Sequence, residues 1–327
     1  MRWDSPFARA VGQLLPAREI EVVLGREGPA AGRKRIRVGG VPRRATALPA
    51  ILRTVVFAPE DMLLLVGPPA LRRAALDAIA SQRQPAYAGH LATYGRALAQ
   101  RNALLRAIRE EEVGREALVP WDAALLDAGA AVVAARAGLL AELAAPLAAA
   151  HAEIAPGEGR LGVTYESNAA PLPGEAPRDA LARRLVETAE KETWNGTTLV
   201  GPHRDDLAFR LDGREMSSFA SRGQQRTVIL AWKLAELDLL TAVDGRPPLL
   251  LLDDVFSELD PARRAHLVRR IAALPQAFVT TTTLADLDPE LRAHATAWEV
   301  ESGGEDGARL RGPAPAAAAR PGMDGPA

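Results

Sequence analysis

Leu249-Leu250-Leu251-Leu252-Asp253-Asp254 is an apolar run of four residues closed by two carboxylates. The run reads as a buried strand. Pro261 to Leu274 follows as a helix and Gln276 to Thr282 as another strand. Strand, helix and strand at this spacing predict a parallel sheet and an α/β fold. Carboxylates at the C-terminal end of such a strand face the crevice where parallel sheets bind ligands. One of them can hold Mg²⁺, a hard cation that keeps part of its water shell. The other can orient or deprotonate an attacking water. The plain alternative is a strand end followed by a turn.

Two further segments flank this run. Ser221-Arg222-Gly223-Gln224-Gln225 precedes a helix of period 3.6 (Val228, Leu230, Ala231, Leu234, Leu237). A serine at a helix start satisfies free backbone N–H groups, so capping explains it. The same geometry, with a glycine that permits close approach, can also receive a γ-phosphate. Ser257-Glu258-Leu259-Asp260-Pro261 comes after the carboxylates. On local grounds Asp260 is an N-cap and Pro261 the first helical residue. The three segments in this order are far more specific than any one alone.

Upstream, Glu19–Gly25 and Lys34–Val38 read as strands with a turn at Gly39-Gly40, and Thr54–Phe57 as a short strand stopped by Ala58-Pro59. From Pro69 the pattern is helical. Tyr87, Leu91, Tyr94, Leu98 and Leu105 mark one face, and a second helix opens at Val119-Pro120 and runs to about Leu143, interrupted at Pro146. Leu161–Glu166 reads as a strand, 167–177 as a loop and Arg178–Glu192 as a helix. Asp212-Gly213 is a two-residue hairpin signal between Asp206–Leu211 and Arg214–Phe219.

The chain has 327 residues, no cysteine and a net charge of −1, which excludes disulfides and thiolate chemistry and gives no global sign of nucleic-acid binding. No apolar signal core follows Met1. The apolar stretch from Ala123 to Ile154 carries Asp127, Arg136, Glu142 and Glu153, which argues against a membrane span. A basic run (Arg33, Lys34, Arg35, Arg37, Arg43, Arg44, Arg53) lies between Glu27 and Glu60 with no acidic residue, a local patch that can neutralise phosphates or simply face solvent.

The set of motifs resembles the ATP-binding-cassette superfamily, and within it the SMC-like DNA-repair branch and the RecF family. Further strings carry that resemblance: Phe57–Asp61, Gly67-Pro68-Pro69 with Arg72-Arg73, Gln100-Arg101-Asn102, and Thr198–Asp206. The resemblance spans about residues 20 to 300. It implies an α/β ATPase head with an inserted helical arm: head over 1–75, arm over 76–193, head again over 194–301, and a disordered tail over 302–327. It implies that Asp253 positions Mg²⁺ and Asp254 serves the hydrolytic water. Ser221, Gly223 and Gln224 would reach the γ-phosphate of ATP bound by the opposite subunit, and Asp260 would lie at the dimer interface. The switch position would fall among Thr280, Thr281, Thr282 and Thr283. Phe57–Asp61 matches a loop that touches metal and water in relatives, but it contains no glutamine. Implied partners are single-stranded and gapped double-stranded DNA, a second copy of the chain on ATP binding, and the mediators RecR and RecO. The implied setting is DNA replication, recombination and repair in the SOS response, in the cytoplasm and without a membrane. Arg72, Arg73 and the Arg33–Arg44 cluster are candidates for DNA contact.

One departure stands out. No G-x-x-x-x-G-K-[ST] loop occurs in the 327 residues. Either Met1 is an internal start and the natural protein is longer, or the chain is a truncated relative that binds DNA or partners without hydrolysis. A transporter-associated ATPase is a third reading, opposed by the helical arm and the long Ser221–Asp253 interval.

Overall fold

The computed structural model describes residues 5–14, 18–25, 32, 34–303 and 308–313; Arg33 and the end of the tail lie outside the described residues. In chain order the strands and helices are β1 (Phe7–Leu14), β2 (Arg18–Gly25), β3 (Lys34–Val38), β4 (Val41–Arg43), β5 (Thr54–Phe57), α1 (Leu63–Val66), α2 (Pro69–Arg83), α3 (Pro85–Arg109) and α4 (Val119–Ile154). Then come β6 (Leu161–Glu166), α5 (Pro177–Asn195), β7 (Asp206–Leu211), β8 (Arg214–Glu215), α6 (Arg222–Thr241), β9 (Leu249–Asp253), α7 (Val255–Glu258) and α8 (Pro261–Ala272). The last are β10 (Ala277–Thr280), α9 (Pro289–His294), β11 (Glu299–Ser302) and β12 (Ala308–Arg311). The chain divides into two compact units, one of residues 1–48, 267–273 and 281–327, the other of residues 49–266 and 274–280.

The first unit holds the antiparallel meander β1-β2-β3-β4. Strand alternation puts Ile36 and Val38 on a buried face and Arg35 and Arg37 on the exposed one. Glu21 shares that exposed face: it accepts from Arg9 Nε at 2.6 Å and lies 3.8 Å from Arg37. Lys34, Arg35 and Arg37 of the basic run are therefore solvated strand positions, with a carboxylate beside Arg37, whereas Arg53, in the second unit, pairs with Asp244. The tail read as disordered from Ser302 departs from that reading at Ala308–Arg311, which pairs antiparallel with Glu299–Ser302.

The second unit contains the parallel sheet β10-β9-β5. Only alternate leucines of β9, Leu250 and Leu252, are fully buried; Leu249 and Leu251 are half-buried, so the strand is less enclosed than its uniform apolarity implies. The hairpin β7–β8 turns on Asp212 (φ 48°) and Gly213 (φ 79°), both left-handed as a type I′ turn requires. Helix α6 is buried nearly all round from Thr227 to Leu240, with the Trp232 ring edge-on to Phe209 at 5.5 Å. It packs on α4 and β5.

Helix α4 runs through Pro146 without interruption. Proline removes the hydrogen bond to the Glu142 carbonyl. Burial of Leu143, Leu147 and Ala150 along one face holds both halves in line, and Arg83 pairs with the Glu142 carboxylate at 2.5 Å. By length and composition α4 is the one helix among the described residues that is apolar enough to cross a membrane. In the fold it packs against α3, α5 and α6.

The arm helices are fastened to the segment Thr198–Asp206 by buried guanidinium groups. Arg136 of α4 grips both oxygens of Asp77 (2.7 and 2.8 Å) and donates to the Pro202 carbonyl at 2.6 Å. Arg101 of α3 reaches Asp122 at 2.6 Å, Thr198 Oγ1 at 2.9 Å and Glu192 at 2.7 Å. Asn102 accepts from the Thr198 amide and hydroxyl. His203 Nε2 donates to the Thr198 carbonyl, which leaves Nδ1 to accept from Tyr94 Oη at 2.5 Å. Burial pushes the His203 imidazole down to about 4, so it is neutral. Gly201 (φ 129°) is the one residue that fits here, because a Cβ would lie 2.3 Å from Tyr94 Oη.

Arg72 and Arg73 belong to the same network, and the burial of Arg72 corrects its reading as a DNA contact. Arg72 is buried, bidentate to Asp206 at 2.7 and 2.8 Å, and donates to the carbonyl of Gly67 at 2.8 Å. Arg73 donates to the Asp205 carbonyl at 2.7 Å. Asp205 is itself enclosed, accepting from Tyr165 Oη and the Asn168 amide.

Two stability outcomes follow. Arg136→Gln leaves the Asp77 carboxylate with the Tyr87 hydroxyl but no cation and is expected to cost about 3–5 kcal/mol in denaturant unfolding, whereas Arg136→Met with Asp77→Leu should cost much less. Equal losses in the single and double variants would show that volume rather than charge matters there. The second concerns Glu236 of α6, which is buried near Lys233 (3.9 Å); burial, against the pull of Lys233, pushes its carboxyl up to about 7 from 4.5. The raised value contributes stability that is complete below pH 4.5 and is lost as pH rises to about 7. Unfolding free energies at about pH 5 and about pH 8 should differ by up to ~3 kcal/mol less in Glu236→Gln than in the parent.

Candidate nucleotide site

Register fixes the centre of the site. β9 pairs in parallel with β5 and β10, placing Thr280 beside Asp253 and Phe57 beside Leu252. The C-terminal ends of three strands thus converge on the two carboxylates. Thr280 Oγ1 donates to Asp253 Oδ1 at 2.5 Å. The Asp254 amide donates to the Thr280 carbonyl (3.2 Å) and hydroxyl oxygen (3.3 Å). Asp254 sits in the left-handed region (φ 50°, ψ 29°), which aspartate tolerates better than most residues, and starts α7.

A small recess is lined by Phe57, Ala58, Met62, Arg226, Asp253 and Asp254, with Val255 and Leu259 at its apolar wall. Asp254 Oδ1 is buried there and accepts no hydrogen bond within the chain. A buried carboxylate oxygen without a donor is costly, and water or a cation satisfies it. The donors are the hard carboxylate oxygens of Asp253 and Asp254. That set fits Mg²⁺, which takes one or two carboxylates and completes its shell with phosphate oxygens and water.

The loop after β5 is pinned from two sides. Asp61 Oδ2 accepts from the Ala58 amide at 2.8 Å and Asp61 Oδ1 pairs with Lys233 of α6 at 2.9 Å. Phe57 and Ala58 therefore reach the recess through main chain and ring, without an amide side chain.

Ser221 is the N-cap of α6. Its Oγ accepts from the Gln224 amide at 3.2 Å, while Gln224 Oε1 accepts from the Ser221 amide at 3.0 Å, a reciprocal capping box. The cap uses an oxygen lone pair and leaves the hydroxyl proton free to donate. A Cβ at Gly223 would meet nothing nearer than Ser221 Oγ at 3.9 Å, so packing inside the subunit does not require glycine there. Open space over a helix N-terminus fits an incoming phosphate. Ser221, Gly223 and Gln224 do not line the recess at Asp253 and Asp254, whereas Arg226, one turn further along α6, does.

Asp260 caps α8, its Oδ1 accepting from the Arg263 amide at 3.0 Å, as local reading predicts. Burial raises its carboxyl, but the Arg263 amide and guanidinium outweigh that and hold it below the ordinary carboxylate value. Among the four threonines, Thr280 is the one that touches the carboxylate pair; Thr281 instead donates to the Thr283 carbonyl.

Sequence reasoning missed Arg226, Lys233, Arg263 and the specific role of Thr280. For Thr280 a signal existed: it ends the strand that runs parallel to β9. Arg263 stands three residues after Asp260, the spacing of a helix-start pair.

No protein-family model matches the chain. Curated relatives do. The DNA replication and repair protein RecF of Moorella thermoacetica is 42% identical over 272 residues, covering 83% of this chain and 72% of the relative. That of Chloroflexus aggregans is 39% identical over 332 residues, covering 93% and 83%. Two solved structures of the recombination mediator protein RecF, described as RecF-ATP and RecF-ATPrS in the RecFOR pathway, superpose with TM-scores of 0.78 and 0.77 at 30% and 29% identity, each covering 88% of this chain and 77% of theirs. The α/β fold, with its long helices, is that of these RecF structures. The chain belongs to the RecF family of DNA replication and repair proteins.

Proposed function

We propose that the chain is an ATP-controlled, DNA-binding recombination mediator, and that Asp253 and Asp254 form the hydrolytic end of a nucleotide site shared between two copies. The observation that carries this reading is the donor-less Asp254 Oδ1 in a recess at the C-terminal edge of a parallel sheet. The relatives are named for DNA replication and repair, and a related structure is described with ATP, which supports nucleotide as the ligand.

In this reading Asp253, oriented by the Thr280 hydroxyl, holds Mg²⁺, which when bound neutralises phosphate charge. Asp254 orients water and takes its proton in the apolar-walled recess. The Ser221 hydroxyl donates to the γ-phosphate held by the other copy, Gly223 lets the backbone approach, and Gln224 fixes the cap. Asp260 lies at the joint. ATP binding closes two heads over DNA at single-strand gaps or single-strand/double-strand junctions, and slow hydrolysis releases it. RecO and RecR are the partners, and the site of action is cytoplasmic.

Asp254→Asn keeps the shape and removes the base. In the full-length protein it is expected to retain nucleotide-dependent dimerisation, measured by light scattering, and to lose roughly 10²-fold or more in turnover. Unchanged turnover would remove Asp254 from the reaction. Thr280→Val takes away the hydrogen bond that orients Asp253; the Mg²⁺ concentration for half-maximal turnover should rise about 10-fold or more. An unshifted Mg²⁺ dependence would leave Thr280 with no part in holding the metal ligand.

A further inference from the structure

One guanidinium joins three segments of the second unit that lie far apart in sequence. Arg263, in the first turn of α8, pairs through Nη1 with Asp260 Oδ2, and its amide holds Asp260 Oδ1 at 3.0 Å. Its Nε donates to Thr227 Oγ1 at 2.9 Å. Thr227 is fully buried in α6, and its hydroxyl donates in turn to the carbonyl of Gly223 at 3.1 Å. Arg263 Nη2 also faces Glu158 Oε1 at 3.4 Å, on the loop that leaves α4. The Ser221–Gln224 cap, the 257–260 loop and the base of the long arm helix are thus linked through one side chain.

The link to the arm is incompletely closed. Glu158 Oε2 is buried without a hydrogen bond, and so are both ring nitrogens of His151, a fully enclosed residue in the last turn of α4. Glu158 Oε2 and His151 Nε2 stand 4.0 Å apart. A relative shift of about 1 Å would bring them within hydrogen-bond distance and satisfy both. Two facing buried polar atoms at this distance leave room for a closer, better-bonded arrangement of the junction.

We propose that Arg263 is a positioning residue that makes the 257–260 loop, the start of α6 and the base of α4 move as one piece, so that closure of two subunits on nucleotide shifts the Glu158–His151 junction and is felt in the arm. This rests on the shared nucleotide site proposed above. A planar guanidinium can bridge three acceptors in fixed directions; an ammonium is a point charge on a flexible stem and cannot replace it.

The test is hydrogen exchange of the full-length protein with and without a non-hydrolysable ATP analogue and Mg²⁺, read at residues 146–158, alongside light scattering. The parent should dimerise on nucleotide and change its exchange at 146–158. Glu158→Gln, which keeps the shape and leaves the Asp260 and Thr227 bonds of Arg263 in place, should still dimerise but reduce that change about threefold or more. Arg263→Lys should reduce it at least as much; if that variant does not fold, Glu158→Gln decides alone. A full nucleotide-dependent change in Glu158→Gln overturns the proposal, as does a parent that dimerises with no change at 146–158. In both cases the nucleotide site stands. A parent that does not dimerise on nucleotide overturns the shared site and this coupling together.

Discussion

The architecture depends on how the buried segment Thr198–Asp206 satisfies its polar groups. Backbone in the interior must find partners for its carbonyls and amides, and an irregular segment cannot find them in a ladder. Here the partners are side chains from elements on several sides: Asn102 of α3 accepts from the Thr198 amide, Arg136 of α4 donates to the Pro202 carbonyl and Arg73 of α2 to the Asp205 carbonyl, while Arg101 of α3 reaches the Thr198 hydroxyl. Arg101 and Arg136 also pair with a carboxylate, Glu192 and Asp77, as the neighbouring Arg72 does with Asp206, so burying those charges is compensated in the same place. The arm helices therefore cannot slide on the segment without exposing an unpaired charge. That makes the attachment of these helices stiff.

The site inherits a different constraint. Parallel pairing of β5, β9 and β10 fixes which residues stand at the strand ends, and a slip of one residue would turn Thr280 away from Asp253. The chemistry is thus placed by main-chain register, with α6 closing the recess from the side through Arg226 and bracing the loop after β5 through Lys233.

What was legible in the sequence follows from this division. Features set by local chemistry could be read: the Ser221 cap, the Asp212-Gly213 turn, the Asp260-Pro261 helix start and the β9 run with its two carboxylates each announce themselves within a few residues. Features set by pairing across the chain could not. Arg72 and Arg73 look like surface cations because nothing nearby in sequence neutralises them; their partners are Asp206 and the Asp205 carbonyl, more than a hundred residues away. Pro146 reads as a break because proline ends most helices, and only packing along Leu143 and Leu147 overrides it. The strand β1 was missed because nearly all of its residues are exposed and carry no alternation. The string Thr198–Asp206 was recognisable as a family mark, yet its role as the fastening of the arm was invisible until its partners were in view.

The two readings of Ser221, cap or phosphate ligand, are compatible in this geometry. A serine hydroxyl has two lone pairs and one proton. The capping box occupies a lone pair and leaves the proton unassigned. The same bond holds Oγ at the mouth of α6, where backbone N–H groups already favour an anion. Capping therefore prepays the ordering of the side chain that a ligand would otherwise have to impose. The glycine two residues on, which the subunit's own packing does not demand, is consistent with a helix end shaped for something that arrives from outside the subunit.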